Sequence, residues 1–207
     1  MLEQFYGDIL PDQGHYCLFL ADNKTHLWAD TLGELAEMTV AQGDRLGVYF
    51  GTAAYKTTAN RTQANVLSLK ALRLDIDAGE KKHARNPDGA YPSQRDARLA
   101  LAGFIRDVGF KPSYVISSGE GLHVYYCLTE AVDPATWHAL ATGLGQLALD
   151  RALLVDPTVT TDTARILRPI GTLHGNGKTV SVIGRTGVVF GVQDFRDLLP
   201  AQPVARP

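Results

Sequence analysis

The block from Ser93 to Ala148 constrains the fold more than any other part of this chain, because it reads as helix, hairpin and helix with the ends marked. Ser93 is an N-cap residue, Asp96 sits near the positive end of the helix dipole, and Gly109 can close the C-terminus. Between them Leu101, Phe104, Ile105 and Val108 recur at i, i+3, i+4 and i+7, the stripe of a helix with one buried face. "PSYVISSGEGLHVYYCL" follows as two strands joined by a Gly-flanked turn, a β-hairpin. Asp133 then caps a second helix with Pro134 at its first position, and Trp137, Leu140, Ala141, Leu144 and Ala148 line its buried side. Such an order demands an α+β fold of two layers, with helices packed on one face of a largely antiparallel sheet.

The remaining segments extend that sheet. Residues 1–10 read as a short amphipathic helix ended by Pro11. "HYCLFLAD" and "RLGVYFGT" read as strands with a helix over roughly 31–41 between them, and "KALRLDID" is a third strand. Residues 79–92 are polar and rich in Gly and Pro, which predicts a loop. "RALLVD", "ARILRPIGTL" and "TVSVIG" are strand-like, and a short segment around "VQDFRDLL" follows. The split βαβ units of ferredoxin-like and RNA-recognition-like (RRM-like) folds are the nearest template. The expected organisation is one domain over 1–200, an N-terminal αβ module of about 1–70 packed on an RRM-like module of about 70–190, with 201–207 starting a linker.

Composition narrows the function classes. A formal net charge of −2 supplies no global basic field, so a polyanion would have to be held by a local patch or by bound metal. The two cysteines, Cys17 and Cys127, lie in apolar surroundings and read as reduced, buried thiols; with no CxxC pair, a zinc ribbon is not expected. No signal peptide and no apolar run near the ~20 residues of a membrane span is present, so a soluble cytoplasmic protein without a membrane partner is expected.

The chemistry begins at "LRLDIDAG". Leu72, Leu74 and Ile76 alternate with Arg73, Asp75 and Asp77, the period of a half-buried strand. Acids two apart on one strand face stand roughly 6.5 to 7 Å apart and repel unless something positive lies between them. Arg73, another basic side chain, or Mg²⁺ or Mn²⁺ could serve; solvated acids at a strand end are the alternative. "SSGEGLHVYY" brings Ser118, Gly119, Gly121 and His123, where the glycines either make a tight turn or let backbone approach a ligand. Asp156 follows the apolar Leu153 to Val155 and is stopped by Pro157, a third carboxylate at a strand end. Arg165, Arg168 and Lys178 come after it, a basic glycine-bearing segment suited to metal-chelated phosphate. A salt-bridge network among Asp156, Asp162, Arg165 and Arg168 is the competing reading. Because the arginines are three apart, a regular strand would turn only one of them towards the acids unless Pro169 distorts it.

Taken in order, DID, SGEGLH, and VDP leading to RILRPIGT and a lysine, the motifs resemble the archaeo-eukaryotic primase (AEP) superfamily, and look most like the primase-polymerases of phages and mobile plasmids. The resemblance spans roughly residues 46–184. It implies an RRM-like catalytic palm and a two-metal nucleotidyl transferase: Asp75, Asp77 and Asp156 would hold two Mg²⁺ or Mn²⁺ ions about 3.5 to 4 Å apart. Ser118, Gly119, Gly121, His123, Arg165, Arg168 and Lys178 would bind the nucleotide, and Arg61 and Asn65 of "NRTQANVLSLKAL" the template. The implied partners are single-stranded DNA, NTPs or dNTPs, and a fused or separate helicase or C-terminal accessory domain, in the host cytoplasm if phage-encoded. The pattern departs from the phage type where Ile170 precedes Gly171 and where His174 stands in place of Asn. A metal-dependent nuclease, a rolling-circle initiator and a non-catalytic primase-derived binding module are the rival classes; "LHVYY" offers an initiator only one of its two histidines.

Overall fold

A computed structural model describes residues 1–199. The first part of the chain forms α1 (Leu2–Ile9), β1 (Tyr16–Leu20), β2 (Thr25–Ala29), α2 (Leu32–Ala41) and β3 (Val48–Gly51). Next come β4 (Ala54–Tyr55), β5 (Val66–Ile76), α3 (Glu80–Arg85), α4 (Gln94–Val108), β6 (Tyr114–Ser117) and β7 (Leu122–Val132). The last part holds α5 (Pro134–Asp150), α6 (Pro157–Thr161), β8 (Ile166–Leu167), β9 (Ser181–Arg185) and α7 (Val192–Leu198).

The marked helices form where their caps require. The Ser93 hydroxyl accepts the Asp96 N–H, and Gly109 closes α4 in the left-handed region at φ 74°. The Asp133 carboxylate accepts the N–H groups of Ala135 and Thr136 at the head of α5. On α2, Thr31 and Glu34 form a reciprocal capping box.

Two sheets result, with strand orders β2-β1-β3-β8 and β4-β5-β7-β6-β9, and every strand pairing within them is antiparallel. The hairpin of β6 and β7 pairs Ser117 with Leu122, and β5 runs along β7 with Leu72 opposite Tyr126 and Asp75 opposite His123. One face of the five-stranded sheet, including Leu72, Leu74, Ile76, Val124 and Tyr126, is buried with Leu101 and Phe104 of α4 and Trp137 and Leu140 of α5. This is the expected α+β layering.

The opposite face departs from the half-buried reading. Ala71 keeps 4% and Arg73 1% of its exposure. Residues Tyr114, Ile116, Tyr125 and Cys127 on that face share a core with Phe5 and Tyr6 of α1 and with Tyr16, Leu18 and Phe50 of the first sheet. Phe5 is the hub, with ring centroids 5.4 Å from Tyr114, 5.7 Å from Tyr125 and 6.2 Å from Phe50, all edge-on.

Four local readings are corrected. The strand β2 was not foreseen; it pairs with β1 across a turn in which Lys24 takes φ 57°. Residues 79–92 contain the helix α3 rather than loop alone. The "RALLVD" segment is not a strand: it begins with a turn in which Ala152 takes φ 56°, and Pro157 starts α6 instead of stopping the chain, since proline fits the first helical position. "ARILRPIGTL" shrinks to the two residues of β8, because Pro169 lacks an N–H and Gly171 turns the chain at φ 87°. Both cysteines are free and buried, as expected. Among the described residues no helix is long and apolar enough to cross a membrane. The expected linker at 201–207 lies outside the described residues.

Candidate functional site

Strand alternation puts Asp75 on the same face as Arg73 and, across the ladder, His123 and Tyr125, so these side chains enter the space between the two sheets. His123 Nε2 lies 3.8 Å from Asp75 Oδ1, with the imidazole at 5% and the carboxylate at 17% exposure. Asp77 follows the strand, and the Ala78–Tyr91 bridge holds it there, with the Tyr91 N–H donating to the Asp77 carbonyl at 2.9 Å. Asp156 comes from far along the chain, yet its N–H donates to the Asp75 carbonyl at 2.9 Å. The three acids therefore do gather at one end of β5.

They do not form a finished cage. Among the described residues no three His, Cys, Asp or Glu side chains converge tightly enough to hold an ion as they stand. Two of the acids are engaged elsewhere. Lys82 of α3 donates to Asp77 Oδ1, and Asp156 Oδ1 accepts the N–H groups of Thr158 and Val159 at 2.8 and 3.1 Å, capping α6. Asp75 has no such partner. Burial first, then the charges of Asp77 and Asp156, push its carboxyl up to about 7 against the opposing pull of Lys82 and Arg165. The donors suit Mg²⁺ or Mn²⁺, being hard carboxylate oxygens of which one is short of compensating charge.

The positive group beside the acids is thus Lys82, not Arg73. Arg73 lies over the Trp137 ring at 4.7 Å and donates Nη2 to the Asp162 carbonyl, while its Nε and Nη1 find no protein partner. It ties β5 to the end of α6, the helix that Asp156 begins.

Glycine is required in the β6–β7 turn for packing. A Cβ on Gly121 would meet the Ile76 carbonyl oxygen, and Gly119, at φ 106°, lies against the His174 side chain. Ser118 is buried, and its N–H closes the turn on the Gly121 carbonyl at 3.0 Å. His123 Nδ1 is buried without a partner. Burial lowers the imidazole pKa to about 3, helped by the charges of Arg168, Lys82, Arg73 and Arg165 in that order. The ring is therefore neutral, in the field of four cations.

Arg165 and Arg168 both act on His123 although three residues separate them. The rule of alternating faces fails because β8 ends at Leu167, before Arg168. The Arg165 carbonyl accepts from the N–H and hydroxyl of Thr52, and Arg168 donates Nη2 to the Tyr49 hydroxyl at 2.7 Å while stacking 4.8 Å from its ring. The Nε atoms of both arginines are buried and unpartnered. The competing salt-bridge network is not formed: among the described residues Asp156, Asp162, Arg165 and Arg168 make no ion pair with one another.

Other expected site residues lie further out. Lys178 stands exposed on the 174–178 turn, where its carbonyl accepts the His174 N–H. Arg61 donates to the Ala164 carbonyl. Asn65 commits its side chain to the carbonyls of Thr57 and Asn60 at 2.8 and 2.6 Å, bracing the preceding loop. Lys82, Arg73 and Tyr49 are site neighbours that sequence reasoning missed or misplaced; only the basic run "KKHAR" beside the acids hinted at the first.

No protein-family model matches the chain, and neither does any curated protein. Solved structures do. The AEP domain of the primase-polymerase of cyanophage S-2L superimposes with a TM-score of 0.57 at 18% identity, over 91% of this chain and 90% of that one. The chain has the fold of a primase-polymerase AEP domain. Primase RepB′ also matches, with a TM-score of 0.51 at 13% identity over 88% of this chain and 56% of that chain. On this fold the acids lie at the end of β5, with His123 of β7 opposite Asp75.

Proposed function

We propose that this chain is the catalytic domain of a primase-polymerase, adding nucleotides from NTPs or dNTPs to a 3′-hydroxyl opposite a single-stranded template. The observation that carries the reading is that Asp75, Asp77 and Asp156 gather at one end of β5, where Asp75 stands 3.8 Å from a buried neutral histidine in the field of Arg168, Lys82, Arg73 and Arg165. Acids alone attract cations, and a cation cluster alone attracts anions. A site with both, side by side, suits a metal-chelated triphosphate.

In this reading Asp75, Asp77 and Asp156 would hold Mg²⁺ or Mn²⁺, which supplies charge neutralisation at the phosphates and acidifies the attacking hydroxyl. His123, uncharged at neutral pH, offers an N–H to a phosphate oxygen. Arg165 and Arg168 would offer guanidinium charge to the phosphate oxygens. Lys178, Ser118 and Arg61 would act at the margins, on outer phosphates or template. Phage or plasmid replication, with a helicase or accessory domain working alongside, is the corresponding setting.

The decisive assay is extension of a labelled primer on single-stranded template with Mn²⁺ and NTPs or dNTPs, alongside an unprimed reaction. Asp75→Ala and Asp77→Ala should each abolish addition while the chain stays folded, and chelator should do the same to the native chain. His123→Ala should weaken apparent nucleotide affinity more than it slows turnover. Synthesis retained by both aspartate variants would refute the assignment, and cleavage of the template without extension would favour a nuclease using the same acids.

A further inference from the structure

The face of the first sheet that turns away from α2 carries a row of aromatic rings. His26, Phe19 and Tyr49 lie directly opposite one another on β2, β1 and β3, so their side chains rise from the same face. Ring centroids are 4.9 Å apart for Phe19 and His26 and 6.4 Å for Phe19 and Tyr49. The other face of these strands is filled by Leu18, Leu20, Val48 and Phe50, with Leu35 and Ala36 of α2 packed there. His26 is exposed, while Phe19 and Tyr49 are half-buried. The row ends on Arg168, stacked 4.8 Å from the Tyr49 ring, which is also the foremost charge acting on His123. Asp22, on the β1–β2 turn, is engaged by Arg45 through three contacts of 2.5 to 2.9 Å.

We propose that His26, Phe19 and Tyr49 form a stacking platform for a single strand of nucleic acid, the row ending at Arg168, so that the strand leads into the site at His123. A row of aromatic rings that ends on a guanidinium group fits unpaired bases and their backbone, and fits duplex poorly because paired bases hide their faces. Continuity through Arg168 explains why the platform lies beside that site. The proposal rests on the reading that this site works on a single strand.

The test is fluorescence anisotropy of a labelled oligothymidylate with the full chain at low and moderate salt. Phe19→Leu and His26→Ala should each weaken binding about five- to hundred-fold, the loss of one base stack, while Phe19→Tyr and His26→Phe restore it. Both losing variants should keep native circular dichroism and unchanged Mn²⁺-nucleotide binding. Unchanged oligonucleotide affinity in Phe19→Leu and His26→Ala would overturn the platform, as would equal loss in Phe19→Tyr or failure of the native chain to bind single strands. If the native chain binds through these rings but extends no primer, the catalytic reading fails and the platform stands. If it extends primers and both variants bind as the native chain does, the platform fails alone.

Discussion

Asp75 should cost the protein stability, and Asn at that position should return it in a manner that depends on pH. The carboxyl is raised from 3.8 to about 7 by burial and by Asp77 and Asp156. In the unfolded chain it ionises near 3.8, so between pH 4 and 7 the folded state holds a proton that the unfolded state has released. Folding stability from this group is therefore complete below about pH 4, declines through pH 7, and stays at its minimum above. The displacement corresponds to ~4 kcal/mol; with 17% of the carboxylate still exposed and Lys82 nearby to relax towards it, about 2 kcal/mol is the safer expectation. Asp75→Asn removes the charge at nearly constant shape. Urea denaturation in chelator should show the variant about 2 kcal/mol more stable than the native chain at pH 8 and equal to it at pH 4. A stability difference that is the same at both pH values would refute the reasoning, because it would mean that Asp75 is not strained by being charged. Divalent metal should narrow the gap at pH 8 by stabilising only the native chain, which is how a strained carboxylate earns its place in a binding site.

Lys82→Met should tighten Mn²⁺ binding a few-fold by titration calorimetry, since the competing ion pair with Asp77 is half-exposed and worth ~0.2–1 kcal/mol; weaker binding would show that Lys82 assists the metal instead. Phe5→Ala should cost about 3–5 kcal/mol in urea denaturation, because four aromatic neighbours lose their common partner in a core that joins the two sheets. A loss under 1 kcal/mol would mean that α1 is not integral to that core.

What could be read from the sequence was what neighbouring residues decide among themselves. Ser93, Gly109, Asp133 and Pro134 set helix ends through contacts with their own backbone, and the structure places α4 and α5 accordingly. Leu72, Leu74 and Ile76 announced a buried face by period alone. β2 escaped because "THLWA" mixes a polar and an apolar surface too evenly to stand out, and only pairing with β1 makes it a strand. Arg73 was misread for a related reason. Alternation assigned it to the acids' face, but an Arg side chain is long enough to reach the sheet edge, where Trp137 and the Asp162 carbonyl hold it.

The candidate site was legible as a set of residues and illegible as a geometry. Asp75 and His123 face one another because β5 pairs with β7, Asp77 follows on the same strand, and a backbone bond from Asp156 to Asp75 brings the third acid alongside. Nothing in the spacing shows that Asp156 caps the helix it begins, or that Lys82 is bonded to Asp77. Both contacts give the acids a temporary use for charge that would otherwise repel. Lys82 can be exchanged for an ion at little cost because the pair is exposed, whereas Asp156 can offer its second oxygen without giving up its cap. In the proposed reading the work would be divided: α6 holds Asp156 in place, Asp75 supplies the unmet demand for positive charge, and Asp77 would exchange Lys82 for a cation.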